Sequence, residues 1–138
     1  MAVALSNLRR TVGALDEALA IYRRELANHT APEIQAMLRD AVIQRFEFTF
    51  EVAWKTLKRH LEEYGLEQVD RMTNRQLFRL GYEQGLLRDA QAWLPYLQRR
   101  NLTGHVYSEP TAMQVFEIVP QFLDDAQFLL AHSEERLR

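Results

Sequence analysis

Apolar residues recur in steps of three and four over the first half of this chain, and such spacing is typical of amphipathic α-helices. The first series comprises Leu5, Leu8, Val12, Leu15, Leu19, Tyr22 and Leu26. The second comprises Val42, Phe46, Phe50, Ala53, Leu57, Leu61 and Tyr64. Because Pro32 suits the first turn of a helix and Gly65 suits a C-cap, we predict one helix of about thirty residues between them.

The second half of the chain carries signals for shorter helices. Thr73 is a good N-cap for a helix that ends near Gly85. A further helix runs toward Arg100, with Asp89 as its candidate cap. Since Pro95 lies too far from Asp89 for a regular first turn, this helix either starts late or is kinked.

The last helix follows a break at Ser108 and Pro110, and Pro120 should bend it. No alternating strand pattern, linker or internal repeat competes with these helices. We therefore predict a single all-α domain, residues 1–138, folded as an antiparallel up-and-down bundle of four to five helices.

The second helix has more apolar surface than one face of a bundle needs. Phe48, Val52 and Trp54 lie beside its main apolar series. Such a helix is central in the bundle, covered by another subunit, or both. We expect both, and hence a homodimer; the alternative is a fully internal helix in a monomer.

Composition narrows the classes of function. The chain has no cysteine, and its four histidines fall in different elements, so we expect neither a metal site nor a cofactor. No segment approaches the length of a membrane span, and the N-terminus has no leader pattern, so we expect a soluble cytoplasmic protein. The net charge of −2 gives no global attraction to nucleic acid.

The segment Arg100-Asn101-Leu102-Thr103-Gly104-His105-Val106-Tyr107 places an arginine, an amide, a histidine and a phenol together. A guanidinium can hold a phosphate through paired hydrogen bonds, and an imidazole can exchange a proton near neutral pH. On a straight helix Arg100 and His105 would point about 140° apart. We expect the chain to turn at Gly104, which tolerates unusual backbone angles, and to bring the two side chains together. Phosphodiester chemistry is the function that this segment favours.

Glu47, Glu51 and Lys55 are spaced four apart on the second helix. This spacing is typical of surface ion pairs along one helix, and we interpret it so rather than as an acid-base dyad.

Two runs of residues resemble the signatures of one family. The first is Gln44-Arg45-Phe46-Glu47-Phe48-Thr49-Phe50-Glu51-Val52-Ala53-Trp54-Lys55-Thr56-Leu57-Lys58, followed by Tyr64-Gly65. The second is Trp93, then Arg99-Arg100-Asn101, His105 and Tyr107. Together they resemble the nucleotidyltransferase substrate-binding proteins of the HEPN superfamily, named for higher eukaryotes and prokaryotes nucleotide-binding domains.

The resemblance implies a helical homodimer that works with a minimal nucleotidyltransferase in a two-component toxin-antitoxin module. In one account of the family, this subunit binds substrate for its partner. In another it is a ribonuclease toxin, and the partner silences it by attaching AMP to the tyrosine of the motif Arg-x4-His-x-Tyr. Here that motif is Arg100, His105 and Tyr107.

The ribonuclease hypothesis gives each of these residues a role. Without a metal, RNA cleavage needs a base for the 2′-hydroxyl and a cation for the phosphorane, and His105 and Arg100 fit these roles. Asn101 and Arg99 are expected to contact the substrate. A dimer that juxtaposes two copies of the segment would supply a second histidine as the acid. In extended backbone Tyr107 would project to the same side as His105, so that AMP there would block the cleft.

Two other functions remain open. The same cleft could hold a nucleotide or RNA for the partner enzyme without catalysis. The chain could also be a purely structural dimerisation module, in which case the cleft residues can be replaced without consequence.

Overall fold

The computed structural model describes residues 1–65, 68–106 and 108–137. Over these ranges the chain forms helices α1 (Ala2–Ala27), α2 (Pro32–Glu63), α3 (Asn74–Glu83), α4 (Trp93–Asn101), α5 (Glu109–Glu117) and α6 (Val119–Arg136). Short 3₁₀ turns lie at Val69–Arg71 and Thr103–His105. The all-α class is confirmed. No helix in the described part of the chain is long and apolar enough to cross a membrane.

The ends of α2 and α3 follow the local signals in the sequence. Pro32 is the first residue of α2, and Gly65 follows its last turn with a φ of +69°. The Thr73 hydroxyl accepts a hydrogen bond of 3.2 Å from the Gln76 amide, and the Gln76 side chain accepts one of 3.0 Å from the Thr73 amide. This reciprocal capping box satisfies two backbone donors at the start of α3. The predicted caps at Pro32, Gly65 and Thr73 are confirmed.

The prolines of the second half decide where α4 and α6 begin. Trp93 is the first residue of α4, and Pro95 lies within its first turn, where its missing N–H is not needed. Asp89 instead accepts a hydrogen bond of 3.0 Å from the Gln91 amide. The late start of α4 is thus the correct alternative. Pro120 is the second residue of α6. Where one bent last helix was predicted, the structure has two helices, α5 and α6, which are separated at Ile118.

Helix α2 is the centre of the bundle and packs against each of the other five helices described. This packing covers some of the additional apolar side chains of α2 and leaves one exposed. Val52 and Trp54 lie partly buried against the core, whereas Phe48 remains 58 % exposed. A single chain therefore covers most of the α2 circumference, but not the face that carries Phe48.

An aromatic cluster joins α2, α4 and α6. Phe122 on α6 is fully buried, and its ring centroid lies 5.0 Å from that of Phe46, 5.7 Å from that of Trp93 and 5.2 Å from that of Tyr96. The buried Tyr96 hydroxyl donates to the carboxylate of Asp125, which also pairs with Arg88 at 2.5 Å. Burial, followed by the hydrogen bond to Asp125 and then the charge of Asp125, raises the pKa of Tyr96. The phenol therefore stays protonated and ties α4 to α6.

His60 on α2 is fully buried, and neither ring nitrogen has a hydrogen-bond partner among the described residues. The centroid of its ring lies 4.6 Å from the centroid of the Tyr64 ring. The Arg136 guanidinium lies 5.5 Å from the same Tyr64 centroid. Burial and then the charge of Arg136 lower the pKa of His60, while Glu63 acts in the opposite direction. The imidazole is therefore held neutral in the folded protein.

This histidine predicts a pH dependence of stability. Because the folded pKa lies below the ordinary value of about 6.5, the unfolded chain binds the proton first as the pH falls. We expect the free energy of unfolding to decrease as the pH falls below about 6.5, as measured by urea denaturation at a series of pH values. A His60→Leu protein should show a flatter profile over that range. An equally steep decline in the variant would assign the pH dependence to other groups.

Candidate functional site

Arg100 lies in the last turn of α4 and pairs with the carboxylate of Glu51 on α2. The end of α4 is closed by Thr103, whose hydroxyl donates to the Arg100 carbonyl oxygen at 2.7 Å. The ion pair of Glu51 therefore joins two helices. Our interpretation that Glu51 pairs along its own helix α2 was wrong. The pair fixes the direction of the Arg100 guanidinium, which has five N–H donors and can still offer several to a ligand.

Arg100 and Glu51 border an open cavity of about 220 Å³ between α2, α3 and α4. The other lining residues are Phe50, Trp54, Asn74 and Leu97. The Trp54 indole N–H donates to the Asn74 side-chain oxygen at 2.8 Å, so the indole is fixed across the α2–α3 junction. The cavity combines an aromatic wall, a carboxylate, an amide and a guanidinium.

Arg99 contacts α5 rather than α2. Its Nε donates to the Gln114 carbonyl oxygen at 2.9 Å, and its guanidinium lies 3.6 Å from the Glu117 carboxylate. These contacts hold α4 against α5. The structure therefore gives Arg99 an anchoring role, and its contact with substrate stays a prediction. Asn101 is exposed at the end of α4, with its side-chain oxygen 3.5 Å from an Arg100 nitrogen.

His105 is exposed at the end of the 3₁₀ turn that follows α4, and its amide donates to the Leu102 carbonyl oxygen at 2.9 Å. Our expectation that Gly104 adopts an unusual backbone conformation was wrong. This glycine has no positive φ and lies within the 3₁₀ turn. Its missing Cβ would meet open space. The chain changes direction by tightening from an α-helix to a 3₁₀ turn, which leaves Arg100 and His105 on consecutive elements.

The expectation of extended backbone after His105 is also wrong at Val106, which has φ −79° and ψ 8°. Tyr107, the expected AMP acceptor, lies outside the described residues. Beyond it, the start of α5 is attached to α2 by Arg39, whose guanidinium donates to the two Glu109 carboxylate oxygens at 2.7 Å and 3.0 Å. This pairing lowers the pKa of Glu109. The His105 segment is therefore held at both ends, by α4 and by the Arg39 contact.

Three residues that line the cavity were not predicted as site residues from the sequence, namely Glu51, Trp54 and Asn74. Glu51 and Trp54 are three residues apart in the sequence and therefore lie on one side of α2. A carboxylate beside the excess of apolar residues on this helix was the sequence signal for a site. Asn74 carried no comparable signal. No group of three histidine, aspartate or glutamate side chains in the described ranges lies close enough to hold a metal ion.

Comparison with known proteins agrees with the fold. A curated relative, named probable ribonuclease HepT, from Haemophilus influenzae is 30 % identical over 105 residues, which cover 75 % of this chain and 72 % of the relative. The solved structure of the Haemophilus influenzae protein HI0074, described as the fold of a substrate-binding domain of a nucleotidyltransferase, matches with a TM-score of 0.87. Its sequence identity is 27 %, and the match covers 94 % of this chain and 98 % of that one.

A solved protein from Thermus thermophilus is 36 % identical, with a TM-score of 0.63, and the match covers 86 % of this chain and 98 % of that one. Residues 4–135 also match the family described as nucleotidyltransferase substrate binding protein like. Since this match spans almost all of the 138 residues, the chain belongs to the nucleotidyltransferase substrate-binding protein family.

Proposed function

We propose that this protein is a metal-independent endoribonuclease whose site is formed by Arg100 and His105. The observation that supports this most directly is their placement. Arg100 borders an open cavity at the end of α4, and His105 is exposed at the end of the next turn. The name of the Haemophilus influenzae relative, probable ribonuclease HepT, also supports RNA cleavage.

The proposed reaction is an internal displacement at phosphorus. His105 takes the proton of an RNA 2′-hydroxyl, and the 2′-oxygen attacks the adjacent phosphorus. The bond from phosphorus to the 5′-oxygen breaks. That oxygen receives a proton from the His105 copy that a second subunit contributes. The products are a 2′,3′-cyclic phosphate and a 5′-hydroxyl. Arg100 stabilises the additional negative charge that develops on the phosphorane oxygens.

A homodimer supplies the second histidine in this proposal, and the exposed face of α2 is its candidate interface. Met37 is 71 % exposed and Phe48 is 58 % exposed. They are eleven residues apart and so share one face of α2, because eleven residues make about three helical turns. Phe48 also lies one turn before Glu51. A second subunit packed on this face would therefore lie beside Arg100.

The proposed partner is a nucleotidyltransferase, as the family description indicates. Following the family resemblance, we propose that it silences the ribonuclease by transferring AMP to Tyr107. An anionic nucleotide two residues from His105 would repel an RNA phosphate and occupy the cleft.

The second candidate function is a non-catalytic subunit that binds nucleotide or RNA for the nucleotidyltransferase. It is favoured by the description of HI0074 as a substrate-binding domain. Both functions use Arg100, Asn101 and His105, and they differ only in turnover.

Incubation of the purified protein with mixed RNA in the presence of a chelator tests the proposal. We expect cleavage fragments that end in a 2′,3′-cyclic phosphate, detected by gel electrophoresis and mass spectrometry. A DNA strand of the same sequence should bind but remain intact, because it lacks the attacking hydroxyl. RNA that is bound and never cleaved would favour the binding subunit, and RNA that is neither bound nor cleaved would reject both the ribonuclease and the binding of RNA.

A further inference from the structure

The cavity beside Arg100 has no role in the reaction described above. Its volume is about 220 Å³, whereas sites for drug-sized ligands typically have volumes of about 300–1,000 Å³. The cavity therefore suits one small group rather than a whole nucleotide. Phe50 and Leu97 supply apolar lining, while Glu51, Asn74 and Arg100 supply polar groups. A single planar heterocycle matches this mixture of surfaces.

Trp54 gives the cavity an aromatic platform. Its side chain is partly exposed, and the hydrogen bond to Asn74 holds the indole in one orientation. A platform that is already fixed loses little conformational entropy when a ligand stacks on it. Aromatic side chains of this kind bind nucleobases in many single-stranded nucleic-acid sites, because every base has a π-face. The Lys58 ammonium lies 5.5 Å from the centroid of the indole ring and pairs with the Asp70 carboxylate at 3.1 Å, so it borders the platform without adding an uncompensated charge.

The polar lining favours a base over a phosphate inside the cavity. The Glu51 carboxylate would repel an anion placed between it and Trp54, but it can accept hydrogen bonds from the amino or imino groups of a base. The Asn74 oxygen is occupied by the indole, and its amide nitrogen can donate to a base. A phosphate is better placed outside the cavity, on the solvent side of Arg100, toward His105.

We infer that this cavity is a nucleobase subsite, in which one base of the RNA strand stacks on Trp54 while the neighbouring phosphate lies against Arg100. The inference rests on the proposed binding of RNA and adds the determinant that places the strand. It assigns to Trp54, Asn74 and Glu51 the positioning of the substrate.

The test compares RNA binding by the wild-type protein with binding by a Trp54→Leu protein, which keeps an apolar side chain against the core but loses the aromatic face. We expect the dissociation constant for a short single-stranded RNA to rise by about 5- to 150-fold. The matched control is Tyr82→Leu, which removes an aromatic side chain that is 54 % exposed on α3 and should leave binding unchanged. Urea denaturation establishes that both variants are folded.

A second measurement uses the wild-type protein alone. Trp93 is fully buried, so a change of tryptophan fluorescence on binding should report Trp54. We expect quenching by the RNA and little quenching by an abasic strand of equal length at the same degree of saturation. Equal quenching by the two strands, or full affinity in folded Trp54→Leu, would overturn the subsite while leaving the ribonuclease proposal intact. A wild-type protein that neither binds nor cleaves RNA would overturn both.

Discussion

Replacement of His105 by alanine is expected to lower the rate of RNA cleavage by about 10²- to 10⁴-fold, the usual contribution of a positioned acid or base. The proposed mechanism uses this residue twice in a dimer, once as the base and once as the acid, so the loss should lie at the upper end of that range. The side chain is exposed, and thermal unfolding of the variant establishes that it is folded at the assay temperature. The measurement is the single-turnover rate of cleavage with RNA at saturation.

The adjacent Gly104 offers a matched control. A Cβ at this position would meet open space, and the backbone has no positive φ, so Gly104→Ala adds one methyl group to the same turn without strain. We expect this variant to cleave RNA at nearly the wild-type rate. Undiminished cleavage by a folded His105→Ala protein would remove His105 from the mechanism, whereas equal losses in the two variants would indicate that the turn is sensitive to any change.

Replacement of Phe122 by alanine is expected to reduce the free energy of unfolding by about 3–5 kcal/mol. Its buried ring contacts aromatic side chains of both α2 and α4, and its removal leaves a cavity at the point where these helices meet α6. Since domains of this kind have a total stability of about 5–15 kcal/mol, the loss is a large fraction of the whole. Urea denaturation at a fixed protein concentration measures it.

Tyr82→Ala is the control for the removal of an aromatic ring, because Tyr82 is 54 % exposed on α3. Its effect should lie within about 0.5 kcal/mol, as for other exposed positions. A loss at Phe122 no greater than that at Tyr82 would show that the aromatic cluster does not stabilise the fold. Because Phe122 also supports Trp93 and Tyr96 on α4, we expect the variant to loosen the attachment of α4 and thereby the position of Arg100.

The ends of α2 and the start of α3 were predictable because the physical causes are local. A proline without an N–H, a threonine that reaches the amide three residues ahead and a glycine with positive φ act within one turn of the chain. Pro32, Thr73 and Gly65 show this directly. Gly104 shows the limit of such reasoning. Its permissive backbone suggested an unusual conformation, but the capped end of α4 continues as an ordinary 3₁₀ turn that any residue could adopt.

The partners of the site residues could not be predicted in the same way. Glu51 was interpreted within its own helix, yet its ion pair is with Arg100, because α4 packs across α2 at that level. Arg99 and Arg100 are adjacent in sequence but pair with different helices, Arg99 with Glu117 on α5 and Arg100 with Glu51 on α2. Successive helical residues point about 100° apart, so the choice depends on which helices flank α4.

The sequence by itself determined the all-α class and the ends of α2 and α3, since periodicity and capping depend on neighbours along the chain, and it supplied the segment on which the proposed chemistry rests. Only the tertiary structure decided that Arg100 pairs with Glu51, that Trp54 and Asn74 face it across a cavity, and that Arg39 holds the far end of the segment. The physical reason is that these contacts join residues that are distant in sequence, and their registry is set by how the side chains of the core fill the space between helices.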